Sequence, residues 1–106
     1  MNAMHGPSRA LQAPGTLGLE TRVEFRKDAI EQLEALPEGS GCLVIDHTAT
    51  RHVDSAGLGA LMLVQRRAAE RRQGVVLRNP SDELRFLLHL TKLDDLFAFE
   101  PLLAMP

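Results

Sequence analysis

The sequence predicts an α/β domain: a small, mainly parallel mixed sheet with helices packed against it. Three observations carry that reading. Two short continuous apolar runs, Cys42-Leu43-Val44-Ile45 and Val75-Val76-Leu77, have the length and composition of strands buried on both faces. Segments with apolar residues at helical spacing alternate with these runs. A chain of 106 residues has room for one such core and too little for two. Strand and helix in alternation imply βαβ units, because parallel neighbours need a crossover between them.

In chain order, residues 1–8 carry scattered Gly and Pro without periodicity and are expected to be a flexible N-terminus, leaving 9–106 as the single domain. Arg9 to Gln12 reads as a short edge strand limited by the prolines on either side, and Gly15-Thr16-Leu17-Gly18-Leu19 as a second strand. Thr21 and Glu24 have capping-box spacing, so a helix begins there. Its apolar stripe is Val23, Phe25, Ala29, Ile30, Leu33 and Leu36, and Pro37 ends it. The run Cys42–Ile45 closes on Asp46 as the central strand, with His47 to His52 a polar loop at its carboxyl end, where open α/β sheets place their sites. From Ser55 to Arg72 the pattern is helical again, nearly apolar at first and arginine-rich at its end, where cations suit the helix dipole. Gly74 reads as the left-handed stop before the strand Val75–Leu77. Asn79 and Pro80 suit the start of a last helix. That helix carries two apolar stripes: Leu84, Leu87 and Leu88, and Phe86, Leu90, Leu93 and Phe97, part of the second being a candidate docking face. Ala98-Phe99-Glu100 reads as a closing strand, and 102–106 as a partial helical turn.

Composition narrows the function. A formal net charge of -2 spread over mixed signs offers no footprint for nucleic acid. With no Trp and no Tyr, bases would find few platforms to stack on. The longest nearly apolar stretch, Ala56 to Val64, is far below the roughly 20 residues a membrane span needs, so no membrane insertion is expected. Cys42 has no partner for an internal disulfide, and no secretory leader opens the sequence, which reads as cytoplasmic. In a buried strand Cys42 is a small core hydrophobe. Asp46, His47, His52 and Asp54 lack a zinc-like spacing and read as a solvated loop, so neither metal nor cofactor is expected. Ser55 could be drawn with His47, His52 or Asp46 as a nucleophile and its base, but no G-x-S-x-G elbow exists and an enzyme is not expected.

The residues that stand out are Val53-Asp54-Ser55-Ala56-Gly57-Leu58-Gly59. Asp54 and Ser55 suit a helix start, where unpaired N–H groups and the positive end of the dipole would favour an added phosphate. Gly57 and Gly59 each cost about 1 kcal/mol relative to Ala inside a helix, so close approach of another backbone, whether of a neighbouring strand or of a bound partner, is expected there.

This run, with the strand Leu43–Asp46 before it and Gly74-Val75-Val76-Leu77 after its helix, resembles a STAS domain of the bacterial anti-sigma factor antagonist type. Gly15-Thr16-Leu17-Gly18 followed by Thr21 resembles the family's G-x-L-D-x-x-T stretch, and Leu87 to Phe99 its last helix and closing strand. The resemblance implies a STAS-like fold and a regulatory protein-binding role. In such antagonists the serine after the aspartate, here Ser55, is phosphorylated by a serine kinase that is also the anti-sigma factor, and phosphate breaks the complex. The implied partner surface is Asp46, Asp54, Ser55, Ala56, Gly57, Leu58 and Gly59. Gly18 stands at the family's Asp position and Ala56 where many members carry Ser or Thr. The alternative is a STAS subunit docking on the ATPase of a phospholipid-type ABC transporter, or a member of another STAS signalling assembly; a homodimer is left open.

Overall fold

The computed structural model describes residues 6–100. The elements are β1 (Ser8–Gln12), β2 (Thr16–Leu17), α1 (Arg22–Glu34), β3 (Cys42–Asp46), β4 (His52–Val53), α2 (Ser55–Glu70), β5 (Gly74–Arg78), α3 (Asp82–Leu90), a 3-10 turn (Asp94–Leu96) and β6 (Ala98–Glu100). Four strands form one sheet in the order β1-β3-β5-β6, and every pair is parallel. The mainly parallel sheet expected is found, and among the described residues every pairing in it is parallel. The partial helical turn expected over 102–106 lies outside them.

The pleat of the central strands decides where the core sits. Leu43 and Ile45 of β3 and Val75 and Leu77 of β5 point to one face and meet Phe25, Ala29 and Leu33 of α1, Ala60, Leu61, Val64 and Ala68 of α2, and Leu84 and Leu88 of α3. Cys42, Val44 and Val76 alternate with them and form a separate, smaller cluster with Ala98 on the other face. Cys42 is buried there, as expected, and burial pushes its thiol up. At the outer strand, Arg78 and Glu100 are register partners and an ion pair, Nε to Oε1 2.9 Å.

Several local expectations are corrected. The polar loop 47–52 ends in a strand: β4 pairs in parallel with β2, making a two-stranded ladder beside the main sheet. Of Gly15–Leu19, only Thr16–Leu17 is strand. The loop is not wholly solvated, since Thr50 is buried and gives its hydroxyl proton to the Pro14 carbonyl at 2.8 Å. Thr21 stands at the α1 N-cap, but its side chain makes no cap bond. Its hydroxyl instead accepts from Gly18 N–H (3.0 Å) and donates to the Thr16 carbonyl (2.7 Å), tying β2 to the helix start. Val23 is 56% exposed; two positions from Phe25, it cannot share that residue's face of a helix.

The left-handed residue after α2 is Arg72 (φ 57°), and Gly74 is already inside β5. Asn79 likewise takes φ 53° and bonds Thr48 Oγ1 through its side chain, leaving Ser81 to cap α3 by accepting from Leu84 N–H at 3.1 Å. The second apolar stripe divides. Phe86 and Leu90 are 61% and 62% exposed on α3, whereas Phe97 lies beyond the helix and is buried in the core.

Candidate functional site

The strand pair β2–β4 and the start of α2 build the site. Leu17 and Val53 are register partners, both buried in the main core, so the chain enters α2 from a fixed point. Asp54 is the N-cap, in extended conformation. Its Oδ1 accepts from Gly57 N–H at 2.9 Å, and its Oδ2 accepts from Leu19 N–H at 3.2 Å. The Gly57 bond first, then the Leu19 bond, hold the carboxyl below the usual carboxylate range. One side chain therefore ties the helix start to the turn after β2.

Gly57 is where those two elements touch. A Cβ there would stand 2.0 Å from the Leu17 carbonyl oxygen and 2.6 Å from its carbon, so only glycine lets the helix seat on β2. Gly59 is different: nothing in the chain lies within 4 Å of a Cβ built on it, so no neighbouring strand approaches there, and of the two expected causes only a bound partner is left. Gly18 also has a local cause. A Cβ there would stand 2.4 Å from Asp54 Oδ2, so the small residue leaves room for the carboxylate that bonds the next amide.

Ser55, first residue of α2, is exposed, as is Gly59. Ala56 and Leu58 are half-buried and Gly57 is buried. The amide donors expected to welcome a phosphate are largely engaged, because the Asp54 carboxylate takes Gly57 N–H and interacts with Ala56 N–H. Asp46 lies apart in its bonding: its Oδ1 accepts from Thr48 N–H (2.9 Å) and Thr48 Oγ1 (2.6 Å), which lower its pKa. Thr48 in turn joins Asn79, so Asp46 shapes the carboxyl end of β3 and β5.

The structure adds residues that spacing did not reveal. Arg22 and Arg26 of α1 line a depression of about 270 Å³ with Ala56, Gly59, Ala60 and Leu63 of α2. Leu19, 64% exposed, sits beside the Asp54 carboxylate in a neighbouring hollow with Thr16, Glu20 and Thr21. An unpaired leucine in a short glycine-bounded turn was the available signal for that position.

His47 is the other unexpected feature. It is 1% exposed at the end of β3, and neither ring nitrogen has a hydrogen-bond partner among the described residues. Burial pushes its pKa down to about 4, with the Asp46 carboxylate opposing the shift. His52, by contrast, is exposed, its Nδ1 3.7 Å from Glu83 Oε1 of α3. The histidines and aspartates of 46–54 therefore do not converge on one point.

Solved structures of similar shape were found at low sequence identity. A candidate anti-sigma factor antagonist from Thermotoga maritima superposes with a TM-score of 0.73 at 18% identity, covering 91% of this chain and 80% of that one. A sulfate transporter family protein from Wolinella succinogenes gives 0.69 at 16%, covering 90% and 78%. The Bacillus cell fate determinant SpoIIAA in its phosphorylated form gives 0.66 at 16%, covering 90% and 84%. No curated protein sequence matches. The family model described as MlaB, STAS domain, matches residues 2–103, and with that coverage the chain belongs to the STAS domain family.

Proposed function

We propose that the chain is a non-enzymatic regulatory module that docks on a protein partner through the start of α2 and is switched by phosphorylation of Ser55. The observation that carries this reading is the contrast at 54–57: Ser55 is exposed while its neighbours are fixed, Asp54 by two amide bonds and Gly57 by contact with Leu17. Such a serine is open to a kinase without unfolding. With the nearby amides held by Asp54, a phosphate of charge about -1.5 to -2 would stand against the partner and break docking by repulsion and desolvation. The partner of this reading is a serine kinase that is also an anti-sigma factor, and Asp46, Asp54, Ser55, Ala56, Gly57, Leu58 and Gly59 are the proposed contact residues. The likeness of fold to anti-sigma factor antagonists supports it.

Incubating the protein with such a kinase and ATP, then measuring intact mass and peptide fragments, tests the switch. One added phosphate on Ser55, absent in Ser55→Ala, is the expected result; no phosphate, or phosphate elsewhere, refutes it. A second reading is favoured by the family model, whose description is MlaB: a subunit that docks the same surface on a transporter ATPase without being phosphorylated. Co-purification with that ATPase, lost on changing Gly59 to a bulky residue, separates the two.

A further inference from the structure

The most open strand of the sheet is β1. It pairs only with β3 among the described residues, leaving its outer backbone edge unpaired, and four of its five residues are exposed. Such an edge is a template for another extended chain. Glu24 and Asp28, one helical step apart in the first turns of α1, and Glu20 in the turn just before the helix stand beside the end of this strand. They line a cleft of about 240 Å³ with apolar Leu11, Pro14 and Phe25. None of the three carboxylates pairs with a cation among the described residues. The next position in the series, Gln32, already accepts a hydrogen bond from Arg9 of β1. The chain itself thus shows how this ridge receives a strand arginine.

We propose that the β1 edge is a docking site for an extended segment of a partner protein with basic residues at alternate positions, which adds as a strand and sets its cations on Glu20, Glu24 and Asp28. The spacings agree. Side chains on one face of a strand recur every ~6.6 Å, and the four-residue helical step from Glu24 to Asp28 is ~6 Å, with Glu20 ahead of the helix at the same end of the cleft. Backbone pairing supplies affinity and the alternate side chains supply specificity. The apolar wall accommodates the aliphatic stems of lysine or arginine while their heads meet the carboxylates. Ser55 takes no part, so this inference and the phosphorylation switch stand or fall separately.

Fluorescence anisotropy of the whole chain with a labelled peptide alternating lysine and valine tests it. Two control peptides are used: one alternating glutamate and valine, and the lysine–valine peptide N-methylated at alternate amides, which keeps its charge but cannot pair as a strand. Saturable binding of the first is expected, weakened about tenfold or more for both controls and for the Glu24→Lys, Asp28→Lys double variant. Backbone amide shifts should concentrate in 8–12 and 20–32. Absence of saturable binding, equal binding of the N-methylated peptide, undiminished binding by a folded double variant, or shifts centred elsewhere overturns the proposal. The N-methylated control uses the unaltered protein and decides the matter even if the double variant does not fold.

Discussion

Two glycines in one helix turn have opposite roles, and substitution should show it. At Gly57 a methyl group would meet the Leu17 carbonyl, which is backbone and has no room to yield. Gly57→Ala is expected to destabilise by about 3 kcal/mol or more, a repacking cost at the β2–α2 contact. At exposed Gly59 the same change meets open space and removes a helix penalty, so Gly59→Ala should stabilise by about 1 kcal/mol. Urea unfolding midpoints of the two variants, read at equal m-values, measure both. His47 makes a pH prediction. Its ordinary pKa is 6.5 and its folded value about 4, so between those values the unfolded chain binds the extra proton. Stability is therefore full above pH 6.5 and falls as pH drops toward 4, by about 3 kcal/mol in all. In His47→Leu the slope in that window should flatten. Asp46 and Asp54, held low by their hydrogen bonds, withdraw their own contribution only as pH falls through their depressed values.

At the scale of elements, the end of α1 depends on a residue far along the chain. The two N–H groups of buried Gln73 Nε2 are shared among the carbonyls of Leu33, Leu36 and Pro37, at 3.2, 3.3 and 3.1 Å. Arg71 adds a bond to Leu36 O at 3.0 Å and one to Gln73 Oε1 at 3.1 Å. These groups satisfy acceptors that a helix end leaves open. Gln73→Leu should cost about 2 kcal/mol by leaving them buried without that donor, measured by thermal or urea unfolding. On α3, position relative to the helix end separates two residues of similar chemistry. Phe97→Ala should cost about 3 kcal/mol or more because Phe97 fills the core, whereas Phe86→Ser should change stability by less than about 0.5 kcal/mol.

For the whole molecule, the helices bury their apolar faces on one side of a parallel sheet, and the start of α2 reaches the surface at one end of that assembly. On the proposed function, this arrangement separates stability from the switch. Because Ser55 is exposed and its neighbours hold the turn, phosphorylated protein should unfold within about 0.5 kcal/mol of the unmodified form while losing its partner. Calorimetric unfolding beside a binding titration checks the two halves of that statement. Equal binding by both forms would leave docking without the switch.

Much of this was legible because it depends on local patterns. The runs Cys42–Ile45 and Val75–Leu77 are strands because continuous β-branched and aliphatic residues suit a sheet buried on both faces. Asp54 begins α2 because a short carboxylate can bond the amides of the first turn. The parallel order follows from helices placed between strands. Other features depend on partners distant in sequence, which spacing does not identify. The two-residue ladder of β2 and β4 is too short to leave a period. The burial of His47 against the sheet end reverses the usual preference of its residue type. The hydroxyl of Thr21 goes to Thr16, not to its own helix. By itself the sequence determined the strands of the main sheet, the helices, their alternation and the candidate switch serine, since propensity, capping and apolar period act within a few residues. Only the tertiary structure decided why Gly57 and Gly18 must be small, which apolar residues stay at the surface and what holds the end of α1. Those depend on atoms brought together from positions 35 to 40 residues apart in the chain.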